Sequence, residues 1–123
     1  MVLINTKIWV ILMSKELAIK VCLERIKRCL SSGNVLFINR SKNLQTMFQL
    51  GLSLKNVYEQ LLKLRPVAYH SGPLADKDAS EGQIWVFFHP VKNTTIYIKL
   101  KFFESHGSDW LKIISFHEQE IGL

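Results

Sequence analysis

The sequence predicts an α+β domain in which three helices pack on a small, mainly antiparallel sheet. Three observations lead there. Apolar residues recur at helical spacing in the first half of the chain, at Ile19, Leu23, Ile26 and Leu30 and again at Leu54, Val57, Tyr58, Leu61 and Leu62. Later they alternate instead: Ile96, Ile98, Leu100 and Phe102 take every second position, with Tyr97, Lys99 and Lys101 between them. Finally, 123 residues that are 48% hydrophobic suit one domain and fill its core without disulfides or metal.

The N-terminal stretch Ile8 to Met13 (IWVILM) is too short to span a membrane, and no small-residue cleavage site follows it. Residues 1–13 are expected to be a peripheral extension, with Met13 as a second candidate start and 14–123 as the domain. Ser14 is placed to cap a first helix running to about Leu30, and Gly33 supplies its stop. The other side of that helix carries Lys15, Lys20, Arg25, Lys27 and Arg28; Glu16 with Lys20 and Glu24 with Arg28 stand at pairing distance along it, so a solvated, self-paired face is expected. Cys22 and Cys29 lie seven apart on one helix, roughly 10.5 Å, beyond disulfide reach. They read as buried thiols of a cytosolic protein.

Asn34 to Asn39 (NVLFIN) reads as the first strand and leads into Arg40-Ser41-Lys42-Asn43, where two cations sit beside two good helix-capping residues. A helix start with free amides and adjacent cations suits an anion, and an ordinary connection with surface charges fits the same residues. Leu44, Met47 and Phe48 give a short second helix ending at Gly51; Ser53 opens the third, and Pro66 ends it. A brief strand Val67 to His70, a turn at Ser71-Gly72-Pro73 and a mobile polar loop from Leu74 to Gly82 are expected next. Gln83 to His89 alternates two apolar sets, as a strand covered on both sides does, so Trp85 and Phe87 are read as core. Pro90 to Thr94 and Ser105 to Asp109 then turn the chain into and out of the strand Thr95 to Glu104, and Trp110 to Glu118 is the last strand.

Sixteen Lys and Arg against ten Asp and Glu give a charge of +6 spread along the chain, which points to nucleic acid or an acidic protein as partner. The four histidines, His70, His89, His106 and His117, show no paired ligand spacing, and no Gly-rich phosphate loop or nucleophile elbow is present. No metal or cofactor is expected. The residues that remain are His, Tyr, Lys and Arg. Cleavage of RNA by its own 2′-hydroxyl needs a base, an acid and cations for the charge growing on the phosphate, and these side chains supply all three. Tyr97 and Lys99 point the same way along a strand, roughly 7 Å apart, close enough to touch one phosphate.

Asn39-Arg40-Ser41-Lys42-Asn43, Leu50-Gly51-Leu52, Tyr69 followed by Gly72-Pro73, Trp85, Tyr97-Ile98-Lys99-Leu100 and Ser115-Phe116-His117 together resemble the motility quorum-sensing regulator (MqsR) family of type II toxins, over about residues 18–118. The resemblance implies a RelE/ParE-like fold, metal-independent cleavage of mRNA in the cytoplasm, no membrane, and neutralisation by a cognate antitoxin. It places Tyr97 at the family's active-site tyrosine, with Lys99 following as a lysine does there. At two positions the chain departs from the best-known members: His70 stands after Tyr69 where they have a catalytic lysine, and Val86 follows Trp85 where they have a glutamine. On one reading His70 and His117 take over proton transfer, Tyr97 assists, and Lys99 and Arg40 neutralise the phosphorane, with Arg40, Lys42 and Lys101 holding RNA; on the other, the protein binds RNA or an acidic protein and does not cut. His89 and His106, placed at turns, are given no role.

Overall fold

The two periodicities separate into two layers. The computed structural model describes residues 6–75 and 83–120, in the order α1 (Thr6–Ser32), β1 (Val35–Phe37), α2 (Ser41–Leu50), α3 (Leu54–Leu62), a 3-10 turn (Pro66–Ala68), β2 (Tyr69–Ala75), β3 (Gln83–Val91), β4 (Thr94–Ser105) and β5 (Ser108–Glu118). One five-stranded sheet forms in the order β1-β5-β4-β3-β2. β2 to β5 are antiparallel neighbours, and only β1 runs parallel to its partner, β5. The expected α+β architecture is the one observed.

The alternation in β4 decides which layer each residue joins. Ile96, Ile98, Leu100 and Phe102 are buried against Ile19, Cys22, Leu23 and Ile26 of α1 and Val57 and Leu61 of α3. Their cross-strand partners Trp85 and Phe87 on β3 and Leu111, Ile113 and Phe116 on β5 complete that core, so the core reading of Trp85 and Phe87 holds. Burial pushes the Cys22 thiol up to about 12 and raises that of Cys29, as befits inert core thiols. Where Arg25 was expected to be solvated, it donates to Asp109 from Nε (3.0 Å) and Nη2 (2.9 Å) and lies 4.1 Å above the Phe102 ring. Glu24 pairs with Lys27 at 3.6 Å in place of Arg28.

Several boundaries differ from the sequence reading. α1 begins at Thr6, because nothing between Thr6 and Ser14 breaks a helix, so Ser14 is interior to it and caps nothing. The expected turn Ser71-Gly72-Pro73 lies inside β2, which passes it with two irregularities in register, while the residues before Tyr69 form a 3-10 turn. Gly72 is required there: at φ 121° a Cβ would stand 2.6 Å from the Ile84 carbonyl oxygen. Residues 1–5 of the expected extension and the expected loop from residue 76 to 82 lie outside the described residues. His89 is in β3 and not at a turn, since the β3 to β4 connection is only two residues, Lys92 and Asn93.

Ser53 and Asn56 form a reciprocal capping box at the start of α3, as expected for Ser53. At the start of α2 the expectation fails. The cap residue is Arg40, with no side-chain bond, and Asn43 works elsewhere. Fully buried, it donates from Nδ2 to the carbonyls of Ile38 (2.9 Å) and Ile114 (3.0 Å) and accepts from the Phe116 amide at Oδ1 (2.9 Å). β1 ends at Phe37, paired with Ile113, so among the described residues the rest of the β5 edge has no strand beside it. Asn43, with Thr46 accepting from the Glu118 amide (3.2 Å), takes the place of that strand. Asn43→Ala leaves three backbone groups, one buried and two part-buried, without this partner and should lower unfolding stability by about 3 kcal/mol in denaturant titration; a loss below about 1 kcal/mol would contradict this role.

Buried His89 donates from Nε2 to Gln60 Oε1 (3.0 Å), and burial, with Lys63 adding repulsion, holds its proton affinity below the usual histidine value. The unfolded chain therefore takes up this proton first on acidification. The contribution is complete above the ordinary value near 6.5 and is lost as pH falls through the lower folded value. Melting temperature should drop between about pH 7 and pH 5, and His89→Gln should flatten that drop.

Candidate active site

The sheet face opposite α1 and α3 carries the odd-numbered residues of β4 and whatever the register sets beside them. Tyr97 lies opposite Phe88 on β3 and His117 on β5. His70 on β2 reaches the other side of Phe88. The four rings form a row across four strands: His70 to Phe88 with centroids 4.8 Å apart, Phe88 to Tyr97 5.7 Å, and Tyr97 to His117 5.3 Å, the last pair stacked at 28°.

His117 stands in that row because of one extra residue. Counting back from the two-residue turn His106-Gly107, a regular hairpin would set Phe116 opposite Tyr97 and His117 opposite Ile96, in the core. The register shifts by one between Lys99–Ser115 and Leu100–Ile113, leaving Ile114 without a partner on β4. Beyond this bulge His117 faces outward and Phe116 inward. The carbonyl of Ile114 and the amide of Phe116 are two of the three groups that Asn43 binds, so α2 holds the bulge in place.

The charges on the sheet are sorted by face. Lys99, Lys101 and Lys112 share the face of Tyr97, whereas Glu104, Asp109 and Glu118, the acidic residues of β4 and β5, fall on the helix side by register. Lys99 is half-buried beside Val86 and Ser115, one step along the strand from the Tyr97 row. Lys101 departs from expectation: it is 7% exposed, with Ile84 and Lys112 as its cross-strand neighbours on this face.

α2 borders the row beyond His117. Lys42, Gln45, Gln49, His117 and Glu120 line a groove of about 240 Å³. Lys42 is bonded to the Glu120 carboxylate, which that contact holds below its ordinary range, while Arg40 is exposed at the start of the helix. His117 donates from Nδ1 to its neighbour's carbonyl, Glu118 O (2.9 Å). A carbonyl oxygen only accepts, so the neutral ring keeps its proton on Nδ1 and leaves the Nε2 lone pair free.

Of the residues expected at a site, the structure brings together Tyr97, His117 and Lys99, with Lys42 at the border. His70 shares their face but stands three strand spacings from His117, roughly 14 Å. Arg40 belongs to the approach along α2. His106, at a positive φ of 52°, sits in the β4 to β5 turn, as expected. Phe88, which links His70 to Tyr97, was missed in the sequence because both apolar sets of β3 were assigned to core; a two-residue turn at Lys92-Asn93, if assumed, would have set it opposite Tyr97.

Among the described residues no three His, Cys, Asp or Glu side chains converge as metal ligands, and no helix is long and apolar enough to cross a membrane. Residues 19–118 match the sequence profile of a family described as motility quorum-sensing regulator, toxin of MqsA. No curated protein and no solved structure gives a significant match.

The Nδ1 assignment is directly observable. Long-range ¹H–¹⁵N correlation at neutral pH should show His117 with a protonated Nδ1 and a bare Nε2; the opposite tautomer would remove the basis for using Nε2 as a base.

Proposed function

The chain belongs to the motility quorum-sensing regulator family of toxins, whose membership implies an antitoxin partner, and we propose that it acts in the cytoplasm as a metal-independent endoribonuclease that cuts mRNA on the open face of its sheet. The observation that carries this reading is the Tyr97–His117 stack, with Nε2 of His117 free and Lys99 one step away on a face whose strand charges are all positive.

In this mechanism His117 Nε2 takes the proton of the 2′-hydroxyl as its oxygen attacks phosphorus. Lys99 stabilises the negative charge on the non-bridging oxygens as the phosphorane forms. The bond to the 5′-oxygen breaks, and the Tyr97 hydroxyl gives that oxygen a proton, leaving a 2′,3′-cyclic phosphate and a 5′-hydroxyl end. The proton on His117 then passes through water to the Tyr97 phenolate, which restores both groups. A base and an acid acting on one phosphodiester must lie within hydrogen-bond reach of its two sides, which favours Tyr97 over the more distant His70 as acid. His70 then contacts the neighbouring nucleotide, with Arg40 and Lys42 along its backbone and Lys101 supporting the surface beneath.

Val86 bears on the same assignment. It lies directly opposite Lys99 and is buried, so the position where family members carry glutamine offers no polar group here. The adjacent Ser115 hydroxyl is buried on the other side of Lys99, and the burden of charge stabilisation falls on the lysine.

Purified protein incubated with a long RNA in EDTA should leave cyclic phosphate and 5′-hydroxyl ends at a recurrent short sequence. Tyr97→Phe and His117→Gln should each slow cutting by about 10²-fold or more, with melting temperatures close to wild type because both side chains lie on the open face. Cutting that survives both substitutions would place the chemistry elsewhere; RNA left intact both by free enzyme and on ribosomes would leave a binding protein.

A further inference from the structure

The open face continues past the Tyr97 row to a second aromatic group. Phe103 and Trp110, opposite one another on β4 and β5, stack with centroids 6.2 Å apart and planes at 26°, and Lys112 Nζ lies 5.4 Å from the Phe103 ring centre. Among the described residues β3 pairs with β4 only as far as Phe102, so this pair stands on a two-stranded ribbon beyond the main sheet. Both rings are half-buried, and no described helix packs over them. The helix side of the ribbon is already anchored by Arg25 through Asp109 and Phe102.

Resting on the ribonuclease reading above, we propose that Phe103 and Trp110 form a second nucleobase site for single-stranded RNA. Phe103 is six residues from Tyr97 on an unbroken stretch of β4, roughly 20 Å, a distance a single strand covers in about four nucleotides, the lower end of single-strand site sizes. Lys99 and Lys112, both half-buried, lie between the two sites on the same face, and among the described residues no strand carboxylate does. Aromatic rings with lysines alongside are the arrangement that takes bases by stacking and phosphates by charge, without selecting sequence. A base inserted on the outer face of Trp110 or Phe103 would keep its phosphate near Lys112. The second site thus adds grip on the strand, and the first sets where the bond breaks.

The test is binding, so that it stands apart from cleavage. Labelled 2′-O-methyl oligonucleotides of random sequence, about three and about eight nucleotides long, cannot be cut through the 2′-oxygen and bracket the span between the two sites. Wild type should bind the longer one more tightly. Trp110→Leu and Phe103→Leu should weaken the longer one by about 5- to 100-fold and leave the shorter unchanged, and Trp110→Tyr should restore most of the loss; melting curves check that each variant is folded. Equal binding of the longer oligonucleotide by folded Trp110→Leu and wild type overturns the second site, as does a loss of the same size for both lengths or a failure of Trp110→Tyr to recover binding. Wild type that binds in this length-dependent, Trp110-dependent way but cuts no RNA supports the second site and overturns only the reaction. Wild type that binds neither oligonucleotide overturns the site.

Discussion

The side chain of Asn43 is the contact on which the candidate site depends. A bulge inserts one residue into an antiparallel ladder and exchanges the two faces of everything beyond it. Here the inserted residue is Ile114, and its carbonyl with the Phe116 amide would be unpaired at a sheet edge. One buried amide satisfies both, and a third bond to Ile38 fixes the turn into α2. The same three bonds therefore set the helix that carries Lys42, cover the edge of β5 and turn His117 out of the core.

The sheet then divides its work between faces. The helix side holds the apolar layer and the acidic residues, including the Asp109 that anchors Arg25. The other side holds Tyr97, His117, His70 and the lysines, with Phe88 between two of the rings. Sorting charge in this way raises the positive potential on one surface without needing a large excess over the whole molecule. The two departures from the family pattern, His70 and Val86, fall on this same face. In the proposed reaction, imidazole, phenol and the remaining lysine stand in for the family's lysine and glutamine.

Much of this was legible in the chain itself. The alternation Ile96, Ile98, Leu100, Phe102 set both faces of β4, because a regular strand leaves no other option, and Gly51 and Ser53 marked the break between α2 and α3 through backbone chemistry local to a few residues. Features that depend on distant partners were not legible. Asn43 looked like a cap because two of its three partners are more than 70 residues away, and Arg25 looked solvated because Asp109 is 84 residues on. The bulge at Ile114 leaves no mark in hydrophobic pattern, since Ile113 and Ile114 are both apolar, so periodicity does not give the outward placement of His117. The burial of Lys101 was not legible for another reason: alternation gives the face but not the crowding on it.

The anchored hairpin gives the open face a fixed length. Beyond β3 a two-stranded ribbon on its own would flex and twist relative to the sheet, and the distance between Phe103 and Tyr97 would vary. Arg25 prevents this by gripping Asp109 with two hydrogen bonds while its guanidinium covers Phe102, and the Asp109 carbonyl accepts in turn from Asn34 Nδ2 (3.3 Å). Those contacts join the ribbon to α1 and to the start of β1, both parts of the packed layer. A spacing between two aromatic groups that is held from the opposite face acts as a ruler, and this is the geometry that the proposed second site needs.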